Sequence, residues 1–281
     1  MKMKKVAVIG AAGKMGSWFA RYFAGRGHGV SAFDVRPFKI AGVMEAKSLA
    51  GCVKDADLVL VCVPVRHTPA VLLQCAAAMR AGSAIAEISS VKSRTHGALK
   101  KAAGRAGITA LCVHPMFGPG ANEKKQLKVL LVPVADREEE ERLAQQVFAG
   151  MSVKVMPDAK THDRAIAAVL GLTYFCNVAF AGAMSKEGDL ALLKEVGGTT
   201  FAVQSMLAES VMTDEPELIS ALILDNPYAR KYIAGYLKDA QGIARLSQKA
   251  LEGRLKKTRS ALEKQQDIQA SYRRMYEMLG R

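Results

Sequence analysis

Lys5-Val6-Ala7-Val8-Ile9 runs without a break into Gly10-Ala11-Ala12-Gly13-Lys14-Met15-Gly16, and residues at helical spacing follow to about position 26. An apolar β-branched strand, three spaced glycines and a helix in that order leave few folds open. The glycines let the chain turn tightly and let a pyrophosphate approach the backbone, where its charge meets the N–H groups of the helix N-terminus. The next strand, Gly29-Val30-Ser31-Ala32-Phe33, ends in Asp34, close to the distance downstream at which an acid grips the adenosine ribose hydroxyls. The order predicts a dinucleotide-binding Rossmann domain.

The pattern continues the prediction. Strands are expected at 4–10, 29–34, 57–65, 83–89, 108–114, 128–134 and 152–157, with helices at 14–26, 68–80, 92–103 and 137–149 between them, a mostly parallel α/β sheet. After Pro157 the β-branched runs stop and apolar residues recur at helical spacing to the end. The expected fold class is therefore α/β, with an N-terminal Rossmann dinucleotide-binding domain over 1–157 followed by an all-helical dimerisation and substrate domain over 158–281. Asp163, behind a Thr161 placed to cap, reads as part of the first helix start, and two helices are expected near the C-terminus at 228–251 and 254–279.

Composition narrows the class. Half of the 281 residues are apolar, which excludes global disorder. The basic opening around Met1 and Lys2 resembles a signal n-region, but its apolar run is short and breaks into the Gly-rich turn. No uninterrupted apolar stretch reaches the roughly 18 residues that cross a bilayer, so a soluble, cytoplasmic chain without membrane partners is expected. Cys52, Cys62, Cys75, Cys112 and Cys176 are scattered through apolar runs in no paired spacing, so neither a disulfide frame nor a metal site is expected. The formal charge of +14 is spread along the chain without a nucleic-acid motif, which points to an attraction for small anions and not to nucleic acid.

The cofactor expectation follows from Asp34. Its charge repels a 2′-phosphate, so NAD is favoured over NADP, although Arg36 keeps NADP open. S-adenosylmethionine also offers a ribose diol, but it lacks the pyrophosphate that spaced glycines suit. The expected cofactor residues are Gly10, Ala12, Gly13, Lys14, Met15, Gly16, Asp34, Val63 and Pro64, the last two ending the strand Asp57–Val63. His67 reads as a helix-start residue.

Two further segments carry chemistry. Glu87-Ile88-Ser89-Ser90-Val91-Lys92 ends one strand, and Val113-His114-Pro115-Met116-Phe117-Gly118-Pro119 ends another. His114 is thus presented at a strand end on a stiff turn, where an imidazole that titrates near neutrality can take a proton. A structural histidine capping that loop, and a Ser90 that only caps the helix starting near Lys92, are the plain alternatives. In order and separation these two segments and the glycine motif resemble the prephenate dehydrogenase family. The resemblance implies an NAD(P)-dependent oxidative decarboxylation of prephenate or arogenate, a cyclohexadienol, in tyrosine biosynthesis. It implies His114 and Ser90 as catalytic residues, with Ser90, Lys92, His114, Tyr174 and Thr200 around a small anionic substrate.

The helical half departs from the family pattern. Tyr174, in Leu170-Gly171-Leu172-Thr173-Tyr174-Phe175, stands where the family commonly has a histidine. Gly197-Gly198-Thr199-Thr200-Phe201-Ala202 lacks the family's carboxylate-binding arginine, and no threonine replaces a guanidinium fork. Lys92 or Arg94 is the candidate substitute. Two alternatives stay open: a divergent member acting on another substrate, such as an S-adenosylmethionine-dependent methyltransferase, and a non-catalytic nucleotide-binding protein. A homodimer is expected, because 164–170 and 178–184 are apolar round most of the helix and need cover on two sides.

Overall fold

The computed structural model describes residues 3–104 and 107–280, so Met1 and Lys2 of the n-region-like opening lie outside the described residues. The chain divides into two compact units, Met1–Ile166 and Ala167–Arg281. The first contains β1 (Lys5–Ile9), α1 (Lys14–Gly25), β2 (Gly29–Phe33), β3 (Val43–Glu45), α2 (Leu49–Val53), β4 (Leu58–Val61), α3 (Thr68–Ala78), β5 (Ala84–Glu87), α4 (His96–Ala103), β6 (Thr109–Pro115), β7 (Lys128–Val132), α5 (Arg137–Val147), β8 (Ser152–Val155) and α6 (Ala159–Ile166). These form one eight-stranded sheet in the order β3-β2-β1-β4-β5-β6-β7-β8. Every neighbouring pair is parallel except β6 and β7, which run antiparallel with His114 opposite Leu130. The sheet reverses direction of winding between β1 and β4, where open α/β sheets bind ligands beyond their carboxyl strand ends.

Strand alternation builds two cores. Val6, Val8, Leu58, Leu60, Leu111 and Val113 face Trp18, Phe19, Tyr22 and Phe23 of α1 and Val147 and Phe148 at the end of α5. Ala7, Ile9, Val59, Val61, Ile85 and Cys112 face Cys52 and Val53 of α2, Leu72 and Cys75 of α3, and Leu99 and Ala102 of α4. Because both faces are covered, β4 is buried at all four positions, as a central parallel strand must be. Each fully buried Phe or Leu contributes about 1.5–3 kcal/mol relative to exposure.

Several boundaries differ from the sequence reading. β3 and α2 were not expected; β3 is a three-residue edge strand with Met44 exposed, too short to show a period. Helix α4 starts at His96 and not near Lys92, with Thr95 in the N-cap position. Helix α6 is capped by Asp158, whose Oδ1 accepts the Thr161 N–H at 2.6 Å. Thr161 is therefore the capped residue and not the cap.

The second unit is all helical: a π-helical turn Ala167–Leu172, α7 (Thr173–Met184), α8 (Leu190–Val196), α9 (Thr199–Val211), α10 (Pro216–Ser220), a second π-helical turn Ala221–Asp225, α11 (Ala229–Ile243), α12 (Gln248–Glu263) and α13 (Ile268–Met278). The C-terminal stretch forms three helices where two were expected. Ser247 and Asp267 each accept a backbone N–H three residues on and so start a new helix inside what periodicity alone reads as continuous. The helical stretch Ala159–Met184 has the length and apolarity to cross a bilayer, a correction to the sequence reading, and only 22% of its most apolar window is buried.

Candidate active site

The glycine loop has the geometry its spacing requires. Gly10 sits at φ +92°, and a Cβ there would lie 2.6 Å from the Cys62 carbonyl oxygen. At Gly16 a Cβ would lie 2.0 Å from the Gly10 carbonyl oxygen, so α1 packs against the loop more closely than any side chain allows. Gly13 occupies the N-cap of α1 with no side-chain cap and no acid in the first turn. A helix end left open in this way, on a close-packed glycine loop, fits a pyrophosphate.

Asp34 closes the other side. Its Oδ2 accepts the Ala12 N–H at 3.0 Å and its Oδ1 accepts the Arg36 N–H at 2.9 Å, so the acid braces the loop while each oxygen keeps a further lone pair. The Arg36 guanidinium stands 3.7 Å from the same carboxylate and is mostly exposed. Val63 and Pro64 follow β4, and both carbonyls accept from the buried Thr68 hydroxyl at 3.2 Å. His67 takes the N-cap position of α3.

An open cleft of about 450 Å³ is lined by Ala12, Gly13, Lys14, Ser17, Arg21, Pro119 and Gly120. It joins the glycine loop to the turn that follows His114. That turn is held on α1 by the Trp18 indole, which donates to the Ala121 carbonyl at 3.1 Å and packs on Phe117 with ring centroids 5.0 Å apart.

His114 lies one residue before the end of β6, within its buried run, and is only 3% exposed. Its Nδ1 lies 3.0 Å from Nε2 of His162, and His162 Nδ1 lies 2.8 Å from Asp163 Oδ1. Asp163 accepts the backbone N–H of Lys92 through Oδ1 and that of Ser93 through Oδ2, both at 2.8 Å. Burial, then the Lys92 ammonium and His162, hold His114 well below the ordinary histidine pKa. Burial also lowers His162, against the opposing pull of Asp163. Asp163 itself is lowered: burial raises it, but the His162 ring and the two backbone N–H donors outweigh that.

The sequence reading placed Asp163 at a helix start and did not use His162 at all. The available signal was a His-Asp pair set directly before a long apolar stretch, where two buried polar groups need partners. Those partners are the amides after Val91, some 70 residues earlier in the chain.

Lys92 is where the expectation needs correction. Its Nζ is fully buried and donates to Glu87 Oε1 at 2.6 Å and to the Val113 carbonyl at 2.5 Å. Glu87 also accepts from the Ser89 N–H and the Cys112 thiol. The ammonium is spent inside the protein and is not presented to a substrate carboxylate. Arg94 is exposed in the following turn. Ser90 is half-buried between β5 and α4, five residues before the N-cap, so it does not cap that helix.

The two substrate residues expected in the helical half are described within the second unit. Tyr174 on α7 donates its hydroxyl to Asp214 Oδ2 at 2.8 Å, and burial followed by that carboxylate pushes the phenol up. Asn177, one turn on, accepts from the Gln204 side chain of α9 at 3.1 Å. Thr200, in the first turn of α9, is exposed.

Fold and site define the class: a dinucleotide-binding α/β protein whose glycine loop shares a cleft with the turn following a buried histidine. Residues 38–157 match the family profile of the prephenate dehydrogenase nucleotide-binding domain. The likeness to that family is thus carried by the nucleotide-binding half of the chain. A probable arogenate/prephenate dehydrogenase of Methanocaldococcus jannaschii is 26% identical over 86% of this chain, which spans only 56% of that relative's length. A 4-amino-4-deoxyprephenate dehydrogenase of Streptomyces pristinaespiralis is 28% identical, over 89% of this chain and 86% of its own. Among solved structures, Aquifex aeolicus prephenate dehydrogenase in complex with hydroxyphenyl propionate and NAD+ superposes with TM-score 0.72 at 19% identity, covering 94% of this chain and 99% of that one. At that identity the likeness speaks to fold.

Proposed function

We propose that the protein catalyses the NAD-dependent oxidative decarboxylation of prephenate or arogenate. The observation that carries the reading is the joining of a pyrophosphate-fitted glycine loop and the His114 turn in one cleft, in a chain with a relative named as a probable arogenate/prephenate dehydrogenase. In this reading Gly10, Ala12, Gly13, Lys14, Met15 and Gly16 hold the pyrophosphate, Asp34 takes the ribose hydroxyls, and Val63 and Pro64 edge the far end. Bound NAD+ supplies a hydride acceptor. His114 accepts the proton of the substrate hydroxyl, Ser90 steadies that hydroxyl, and loss of carbon dioxide leaves an aromatic ring. Tyr174 and Thr200 belong to the substrate side of the proposal. The methyltransferase alternative is not carried forward, since a close-packed pyrophosphate loop serves no purpose for S-adenosylmethionine.

Calorimetric titration tests the cofactor assignment. NAD+ is expected to bind more tightly than NADP+, S-adenosylmethionine not at all, and Asp34→Ala to narrow the gap between the two nucleotides. Equal or tighter NADP+ binding would overturn the role given to Asp34.

A homodimer formed through the helical unit, working in the reducing cytoplasm where five unpaired thiols persist, belongs to the same proposal. Helix α7 buries only Asn177, and α8, α12 and α13 bury nothing, while Val169, Val196 and Leu224 are more than half exposed. Flanking helices of the same chain cover these faces only in part, Phe175 meeting Tyr236 of α11 and Phe180 meeting Phe201 of α9, and a second copy would cover more. Sedimentation equilibrium at micromolar concentration should return twice the 30.2 kDa chain mass; a single species at the chain mass would refute the dimer.

A further inference from the structure

We propose that His162 and Asp163 form a proton relay that fixes His114 in the tautomer able to act as a base and then shares the proton it takes. The proposal rests on the assignment of His114 as the proton acceptor.

Hydrogen-bond logic along the chain of four atoms leaves one arrangement. Asp163 receives the N–H groups of Lys92 and Ser93, the Ser93 side chain and the ring of His162. A carboxylate in that position is an acceptor only. His162 Nδ1 therefore carries a hydrogen, and in the neutral ring Nε2 then carries a lone pair. The atom facing that lone pair at 3.0 Å is His114 Nδ1, which must donate. A neutral His114 with its hydrogen on Nδ1 keeps its lone pair on Nε2. Which nitrogen is bare is thus set two side chains away. The low affinity for protons that burial and Lys92 give both rings supports the neutral states.

The same path handles the proton. When a substrate O–H bond breaks, its proton forms a bond to His114 Nε2; a bound nicotinamide would supply the hydride acceptor that completes the oxidation. The imidazolium so formed already donates Nδ1–H to His162 Nε2, and passing that hydrogen across moves the positive charge to the ring beside Asp163. No proton is gained or lost within the relay. The charged groups around it are few: Lys92 is neutralised by Glu87, the Cys112 thiol is held far above its ordinary pKa by burial, and Asp163 is the carboxylate that faces His162. A positive charge arriving at His162 meets its counter-ion at 2.8 Å.

The arrangement also explains why Asp163 is tied to the backbone after Val91. The amides of Lys92 and Ser93 orient the carboxylate, which orients His162, which orients His114. His162 and Asp163 are positioning residues in this account.

The test reads tautomers directly. Imidazole 15N–1H correlation spectra of the full chain at pH about 8, assigned with single histidine variants, should show His114 and His162 each protonated at Nδ1 and bare at Nε2. In Asp163→Asn, an amide turned with its oxygen to the Ser93 N–H presents its NH2 to His162 Nδ1, and in that orientation both rings flip to the Nε2–H form. That variant should lose about 10²-fold or more in kcat, as an inverted tautomer does in an acid-histidine pair, with KM and NAD+ affinity within twofold of the parent. His114 protonated at Nε2 in the unaltered protein would overturn the relay, and so would an Asp163→Asn variant whose spectrum shows the flip while kcat stays within twofold. The spectrum needs no variant that folds poorly and no turnover. Failure of the base assignment, seen as normal turnover in a His114→Asn variant, is therefore distinguishable from failure of the relay.

Discussion

His114→Asn is expected to lower turnover by about 10²–10⁴-fold, the range typical of a lost general base, while NAD+ affinity stays within a factor of a few. The expectation follows from placement. His114 lies on β6, whereas the groups assigned to the nucleotide lie on the β1–α1 loop, at the end of β2 and beyond β4. Removing the imidazole leaves those untouched. Asn also retains a side-chain donor for His162, so the variant tests chemistry more than packing. Stopped-flow kinetics with parallel nucleotide titration checks it, and unchanged turnover would reduce His114 to a loop residue.

The same substitution has a pH signature. The folded-state pKa of His114 lies well below 6.5, first by burial, then through Lys92 and His162. In the unfolded chain the ring binds a proton near 6.5, so the unfolded state holds more protons below that pH. His114 therefore contributes stability that is present above pH 6.5 and is lost as pH falls toward its folded value, with a slope of up to about 1.4 kcal/mol per pH unit. Urea melts at pH 7.5 and 5.5 should show a smaller loss for His114→Asn than for the parent. In activity, the parent's acid limb in kcat/KM should lie below pH 6.5.

Lys92→Met is expected to cost about 3–5 kcal/mol of folding stability, because it strands the Glu87 carboxylate in a fully buried site. Glu87 keeps the Ser89 N–H and the Cys112 thiol, which do not replace a cation. The Val113 carbonyl loses its donor as well. Adding Glu87→Gln should recover part of the loss, since a neutral amide has no charge to leave uncompensated. Thermal and urea melts of the single and double variants decide it. A single variant within 1 kcal/mol of the parent, on the order of one ordinary hydrogen bond, would show that the pair does not anchor the site. Removing the ammonium should also raise the His114 pKa and move the acid limb of kcat/KM to higher pH.

How much of this was legible in the sequence depends on how local each feature is. The glycine loop, Asp34 and the His114 turn were readable because each is a short run whose backbone demands restrict residue type: only glycine tolerates the contact at Gly16. The two cores were readable from strand alternation. What pairs across distance was not. The antiparallel direction of β7 leaves no mark on its residues, and β3 is too short to carry a period. Lys92 read as a cation for the substrate because its partner Glu87, five residues away, gave no sign that both would be enclosed. Asp163 read as part of a helix start and His162 went unused because their partners are amides of Lys92 and Ser93 and a ring 48 residues upstream. The departures at Tyr174 and Thr200 were visible, and Tyr174 proved to be engaged by Asp214 rather than standing open.

The most direct test of the central claim follows both products at once, NADH by absorbance and carbon dioxide by a coupled carboxylase, when the protein meets NAD+ with prephenate and, separately, with arogenate. The account predicts that at least one of the two acids yields NADH and carbon dioxide in a one-to-one ratio, and that His114→Asn suppresses both together. NADH without carbon dioxide, or neither product from either acid by a protein that binds NAD+, would contradict it.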